Sequence, residues 1–168
     1  MYLIDIEPIS DSRGFFARSF DNEEFLKYGL NVNFVQNNIS CSLKKYTLRG
    51  LHVQLPPYGE DKFVRCTQGS LYDVVIDLRK DSPSYLKWVG IELNSCNFQQ
   101  LYIPKGCAHG FLTLEDNTSF FYQVTSRYAP GMEFGIRWND PYFQIAWPHE
   151  PVHISEKDIS FPDFCLVP

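Results

Sequence analysis

Turn-forming residues recur along this chain at short, fairly even intervals, and that punctuation leaves room for little except short strands. The separators are Leu55-Pro56-Pro57-Tyr58-Gly59, Gln68-Gly69, Asp81-Ser82-Pro83, Pro104-Lys105-Gly106 and Glu115-Asp116-Asn117. The segments between them predict strands over Phe34–Ser40, Thr47–Gln54, Lys62–Thr67, Leu71–Leu78, Tyr85–Leu93, Gln99–Ile103, Ala108–Leu114 and Thr118–Ser126, with a last one near Phe134–Trp138. Asp11-Ser12-Arg13-Gly14 reads as a turn that leads into a strand over Phe15–Phe20. One short helix follows, with Asp21 as its cap, Glu24 at the capping-box partner position and Gly29 placed to end it. The tail from Asn139 is Pro-rich and irregular, with a last helical turn at Ser155–Asp158. About nine short strands and so little helix make an all-β sandwich or barrel, a fold that often holds a ligand inside. We expect one domain over residues 1–168.

Composition removes several function classes. The net charge of −5, with no basic block or stripe, argues against a nucleic-acid binder. A small anionic ligand needs only a few Arg and Lys residues. The five cysteines (Cys41, Cys66, Cys96, Cys107 and Cys165) are odd in number and form no C-x-x-C pair, so reduced thiols of a cytoplasmic protein are expected rather than a disulfide scaffold. Charge follows Met1 too soon for a signal peptide, and no apolar run approaches a membrane span.

Candidate chemistry centres on Leu48-Arg49-Gly50-Leu51-His52-Val53-Gln54. On a regular strand His52 and Gln54 share a face and Arg49 lies on the other; a bulge at Gly50 would bring Arg49 round to His52. Lys62 opens the next strand, Tyr122 shares a face with Phe120 and Val124, and His109 follows the Pro104-Lys105-Gly106 turn. Each has a blander reading: His52 as a core or edge histidine, Lys62 as a solvated strand end, Tyr122 as a core aromatic, His109 as a turn support. Two histidines with Gln54 and Lys62 where a metal site would want further donors make a poor divalent centre, so neither a metal nor another cofactor is expected.

Taken in order, the motifs resemble a known family. Asp11-Ser12-Arg13-Gly14-Phe15-Phe16, Phe34-Val35-Gln36-Asn37-Asn38, Leu48-Arg49-Gly50-Leu51-His52, Lys62-Phe63-Val64-Arg65 and Asp73-Val74-Val75-Ile76-Asp77-Leu78-Arg79 are its first markers. Tyr102-Ile103-Pro104-Lys105-Gly106-Cys107-Ala108-His109-Gly110-Phe111, Trp138-Asn139-Asp140-Pro141, Ile145-Ala146-Trp147-Pro148 and Ile154-Ser155-Glu156-Lys157-Asp158 complete the series. This order is that of the dTDP-4-dehydrorhamnose 3,5-epimerases, and the resemblance runs through nearly the whole chain.

The resemblance implies a cupin-like jelly-roll barrel with one or two short helices, a homodimer, and an isomerase acting on a nucleotide-linked 4-keto sugar. It implies His52 as general base, Asp158 as the carboxylate that orients it, Tyr122 as general acid and Lys62 as the cation at the keto oxygen. Asp158 could equally serve the Ser155-x-x-Asp158 cap, and the two roles can coexist. His109 corresponds to a neighbour of the sugar, and Arg13, Gln36, Asn38, Arg49 and Tyr128 to nucleotide and diphosphate contacts. The chemistry agrees: a proton beside a ketone is removed by a base, the enolate oxygen is stabilised by a cation, and an acid reprotonates the other face.

Two features depart from the family's pattern. Arg18 stands where members often carry Glu, which leaves CDP- and GDP-linked sugars open, and the N-terminal strand that typically crosses to a partner subunit is expected to be shortened. Glu60 and Asp61 add negative charge just before Lys62, which either tunes the lysine or, the reading favoured from sequence, belongs to a solvated loop. The competing readings are a single-centre epimerase or ketoisomerase, a metal-dependent cupin enzyme, and a non-catalytic sugar-binding barrel.

Overall fold

The structure is a computed structural model that describes residues 1–165. Two five-stranded sheets face each other, and every strand pairing within them is antiparallel. The first has the order β1 (Tyr2–Asp5), β9 (Gln99–Ile103), β6 (Lys62–Gln68), β11 (Thr118–Val124), β4 (Gln36–Ser42). The second runs β12 (Glu133–Gly135), β5 (Leu48–Gln54), β10 (Cys107–Thr113), β7 (Ser70–Asp77), β8 (Trp88–Asn94). A separate hairpin joins β2 (Ile9–Asp11) to β3 (Gly14–Phe16), and the helices are α1 (Asn22–Lys27) and α2 (Glu156–Ile159). This is the expected all-β jelly roll.

Strand alternation sorts side chains into three layers. Leu71 and Val75 of β7, Cys107 and Phe111 of β10, Val64 and Cys66 of β6, and Leu101 and Ile103 of β9 meet between the sheets. Leu51, Val53, Val74, Ile76 and Ala108 point to the outside of the second sheet, where Ile136 and Phe143 cover them. That cover makes all of β10 buried, on both faces. On the outside of the first sheet Phe63 and Tyr102 are covered by Phe25 and Leu30, at and just beyond α1.

The α1 boundaries follow their sequence signals. The Asp21 side chain accepts from the N–H groups of Glu23 and Glu24. Glu24 does not complete a capping box; its carboxylate pairs with Lys27 at 2.5 Å. Gly29 has φ +68, and the Gly29 and Leu30 N–H groups donate to the carbonyls of Leu26 and Phe25, a Schellman ending that a left-handed glycine permits.

Several strand expectations need correction. The Phe15–Phe20 strand stops at Phe16, because Phe20 turns to pack edge-on against Phe25, centroids 4.9 Å apart. Phe34 lies outside β4 and stacks on Phe63. Residues Tyr85–Lys87 belong to a turn, tied down where the Ser82 and Ser84 hydroxyls donate to Asp77 at 2.5 and 2.6 Å. The last strand is Glu133–Gly135 rather than Phe134–Trp138. The N-terminal segment, given no range from sequence, forms a strand at Tyr2–Asp5 that pairs with β9 of its own chain.

Candidate active site

The bulge expected at Gly50 is present. His52 pairs with His109 while Arg49 pairs with Phe111, so three steps on β5 match two on β10. The extra residue turns Arg49 to the same side as His52. Only glycine fits there: its φ is +108, and an added Cβ would lie 2.7 Å from both the Gly110 Cα and the His109 carbonyl oxygen.

Arg49, His52, Lys62, His109, Tyr122 and Asp158 thereby line one cavity of about 540 Å³ between the sheets. His52 and His109 come from the second sheet, Lys62 and Tyr122 from the first, and Asp158 from α2. A second cavity of about 260 Å³ adds Gln36, Asn38, Tyr128 and Glu133 and shares His52, Lys62 and Tyr122 with the first. Nine of the ten residues singled out in the sequence thus border one continuous cleft.

The tenth does not. Arg13 sits at the tip of the β2–β3 hairpin, paired with Asp11 at 2.5 Å and almost fully exposed. Neither cavity includes it.

His52 and His109 each have a carboxylate partner. His52 Nε2 lies 2.6 Å from Asp158 Oδ1, and Asp158 Oδ2 accepts from the Gly50 N–H at 3.3 Å. Asp158 is 4% exposed. Burial pushes its carboxyl up, but the hydrogen bond and charge of His52 with the Gly50 and Ser155 contacts outweigh that, and its pKa falls below the ordinary value. Ser155 is the N-cap of α2, its hydroxyl accepting from the Asp158 N–H at 3.1 Å. The cap therefore holds the backbone of Asp158 while the carboxylate is turned to His52. His109 Nε2 is 2.8 Å from Asp73 Oδ2 in a fully buried pair, and Asp73 Oδ1 has no partner.

Tyr122 is half-buried, and its phenol pKa is raised by burial first and by the charge of Glu60 second, with Arg49 acting in the opposite sense. Arg49 reaches across to the first sheet, donating to Ser42 Oγ at 3.2 Å. Gln36 accepts from the Tyr128 N–H at 3.3 Å, which ties the two together at the edge of the cleft. Gln54 is buried and spends its amide on the Tyr58 and Arg127 carbonyls and the Ala129 N–H, so it braces loops. Among the described residues no three His, Cys, Asp or Glu side chains form a group that could hold a metal ion.

Sequence reasoning missed three residues at or behind this cleft and favoured the wrong reading of a fourth. Glu133 lies 3.6 Å from His52 Nδ1, and its other oxygen pairs with Lys157. Nothing in the spacing announces either, because β12 is brought beside β5 only by the fold. Asp73 did carry a signal: an acid inside the apolar run Leu71-Tyr72-Asp73-Val74-Val75 has to be paired if the strand is buried. Glu60 is the fourth and corrects the solvated-loop expectation. Its side chain is 12% exposed and pairs with Lys62 at 3.2 Å. Asp61 is buried too, accepting from the Lys105 N–H at 3.0 Å and the Thr125 hydroxyl at 3.1 Å. The Arg18 guanidinium pairs with Asp21 at 3.0 Å, away from the cleft.

A family profile described as dTDP-4-dehydrorhamnose 3,5-epimerase matches residues 1–165. The chain belongs to the dTDP-4-dehydrorhamnose 3,5-epimerase family. It is 49% identical over 157 residues to the Escherichia coli (strain K12) dTDP-4-dehydrorhamnose 3,5-epimerase, covering 91% of this chain and 84% of that protein. The crystal structure of the Bacillus anthracis enzyme with TDP and PPi bound superposes with a TM-score of 0.93 at 40% identity, over 96% of this chain and 93% of that one. The Legionella pneumophila dTDP-6-deoxy-D-glucose-3,5-epimerase, solved in complex with dTDP-4-keto-L-rhamnose, gives a TM-score of 0.86 at 40% identity, over 93% and 83%. Family membership makes the chain an isomerase of the epimerase type and its fold cupin-like. No helix is long and apolar enough to cross a membrane among the described residues.

Proposed function

We propose that the protein inverts C3 and C5 of dTDP-4-dehydro-6-deoxyglucose, giving dTDP-4-dehydrorhamnose, and that it does so in the cytoplasm with its own side chains. The observation that carries this is the His52–Asp158 pair on one wall of a cleft whose other wall presents Tyr122 and Lys62. With its Nε2–H donating a hydrogen bond to the Asp158 carboxylate, His52 keeps the Nδ1 lone pair for the proton on the carbon beside the ketone. As that proton transfers, the Asp158 carboxylate stabilises the imidazolium formed. Lys62 supplies positive charge where the enolate oxygen develops, and Tyr122 returns a proton from the opposite face. The ketone lies between C3 and C5, so one set of groups serves both carbons in turn. His109, fixed by Asp73, borders the sugar. Arg49, Gln36, Asn38 and Tyr128 receive the diphosphate and nucleoside along the rest of the cleft.

The same reading makes the protein a homodimer. Arg13 is remote from the cleft of its own chain, on a hairpin whose Ile9, Phe15 and Phe16 are well exposed. A hairpin of that composition is suited to a partner subunit, where Arg13 would meet the bound nucleotide. Sedimentation at twice 19.6 kDa is the expected outcome, and a fully active monomer would overturn it.

The test of function is incubation with the dTDP-linked 4-keto sugar in D2O, followed by NMR. Loss of both the C3 and C5 proton signals with a new ring configuration is expected. Loss of one alone would make it a single-centre epimerase. No loss at either carbon, with CDP- and GDP-linked sugars also tried, would sink the epimerase reading for this chain.

A further inference from the structure

Glu60 lies in the loop between β5 and β6, beside Asp61, yet the two acids have different surroundings. Asp61 accepts hydrogen bonds from Lys105, Thr125 and Asn31 and so braces the loop. Among the described residues Glu60 has one ionic contact, the Lys62 ammonium at 3.2 Å, in a pair whose side chains are 12% and 14% exposed. It also lines the smaller cavity together with His52, Lys62 and Tyr122. An enclosed carboxylate next to the place where an enolate forms works against that negative charge unless it serves the cation and the acid beside it.

We infer that Glu60 is a positioning residue for this reaction, holding the Lys62 ammonium at the ketone oxygen and keeping negative charge beside the Tyr122 phenol. The inference rests on the roles proposed above for Lys62 and Tyr122. A lysine stem has four rotatable bonds, and a fixed ionic partner removes most of that freedom while leaving two N–H groups for the substrate. The charge of Glu60 also favours the neutral phenol, which is the form able to donate.

Other groups face Tyr122 across the cleft. Lys62 is a cation on its own sheet, and Arg49 is a cation on the facing sheet that acts against Glu60. Lys157 is a further cation, neutralised by Glu133. His52 and His109 are imidazoles with carboxylates behind them, Asp158 and Asp73. Of these groups, Glu60 is the carboxylate whose charge acts on the Tyr122 phenol.

The variant that isolates the charge is Glu60→Gln, which keeps the side-chain shape. Its kcat should fall roughly tenfold, the kinetic weight of about 1.4 kcal/mol, with KM within about twofold of wild type. The alkaline limb of its pH–rate profile should move to lower pH, because the phenol gives up its proton earlier once the neighbouring anion is gone. The Tyr122 titration can also be read without turnover, from the tyrosinate absorbance lost on Tyr122→Phe in the wild-type and Glu60→Gln backgrounds. Its midpoint should drop in Glu60→Gln and be largely restored in Glu60→Asp, which a purely structural role would not produce. Unchanged kcat and an unchanged midpoint in an active protein would overturn the assignment while leaving the epimerase reading intact. A wild-type protein that exchanges no sugar proton but shows the midpoint shift would overturn the epimerase reading and still support the coupling of Glu60 to Tyr122.

Discussion

Replacing Asp158 by Asn tests the proposed base most directly. The substitution keeps the side-chain shape, removes one negative charge 2.6 Å from His52 Nε2, and leaves one acceptor oxygen where the Gly50 N–H and the His52 Nε2–H now use two. A unit charge about 4 Å from an imidazolium stabilises it by roughly 4 kcal/mol at an effective dielectric constant near 20. Some of that is offset by the desolvation of a carboxylate that is 4% exposed, so about 3–4 kcal/mol is the useful range. At about 1.4 kcal/mol per decade, proton exchange at the sugar should slow by roughly 140-fold to 700-fold. Solvent-deuterium wash-in at C3 and C5, followed by NMR under single-turnover conditions, measures this step apart from product release. A second readout is stability. The folded pKa of Asp158 is depressed, so its charge stabilises the fold above the unfolded carboxylate range, and that contribution is lost as pH falls through the folded value. The melting-temperature gap between wild type and Asp158→Asn should therefore be widest near neutral pH and shrink in acid. Wash-in within threefold of wild type would refute the reasoning, because an orienting carboxylate whose charge can be removed freely is not supporting the base.

Tyr122→Phe should separate exchange from inversion: His52 can still remove a proton and return a deuteron to the same face, while net epimerisation falls by about a hundredfold or more. In the wild type the same phenol, raised above its ordinary value by burial and by Glu60, should hold activity well into the alkaline range, with loss only as pH rises through that raised value. Gly50→Ala places a Cβ 2.7 Å from the Gly110 backbone at a φ of +108. The expected cost is about 3–5 kcal/mol of stability, seen as a lower denaturation midpoint, together with loss of activity as the bulge that aligns Arg49 with His52 is distorted.

How far the sequence could be read depended on the range of the interaction behind each feature. The α1 cap at Asp21 and its glycine ending are local, since capping is decided within one turn of chain. The bulge at Gly50 was readable for the same reason, as a glycine set in a strand between two candidate site residues. The strand over Phe15–Phe20 failed because aromatic residues read as strand while their rings seek any apolar partner; Phe20 finds Phe25 and Phe63 instead of a ladder. Asp158 could be placed as a cap from its own neighbours, but its carboxylate reaches His52, 106 residues away.

By itself, then, the sequence determined the all-β class, the caps of both helices and the motif order that marks the family. These are settled by steric preferences and hydrogen bonds acting over a few residues. Only the tertiary structure decided which charges meet. Glu133 reaches His52 because β12 pairs with β5, and Glu60 is folded into the cleft rather than left in water. Arg13 is held out on the hairpin, away from the cleft its motif suggested. Electrostatic partnership depends on distance in space and on burial, and neither is fixed until the two sheets close on each other.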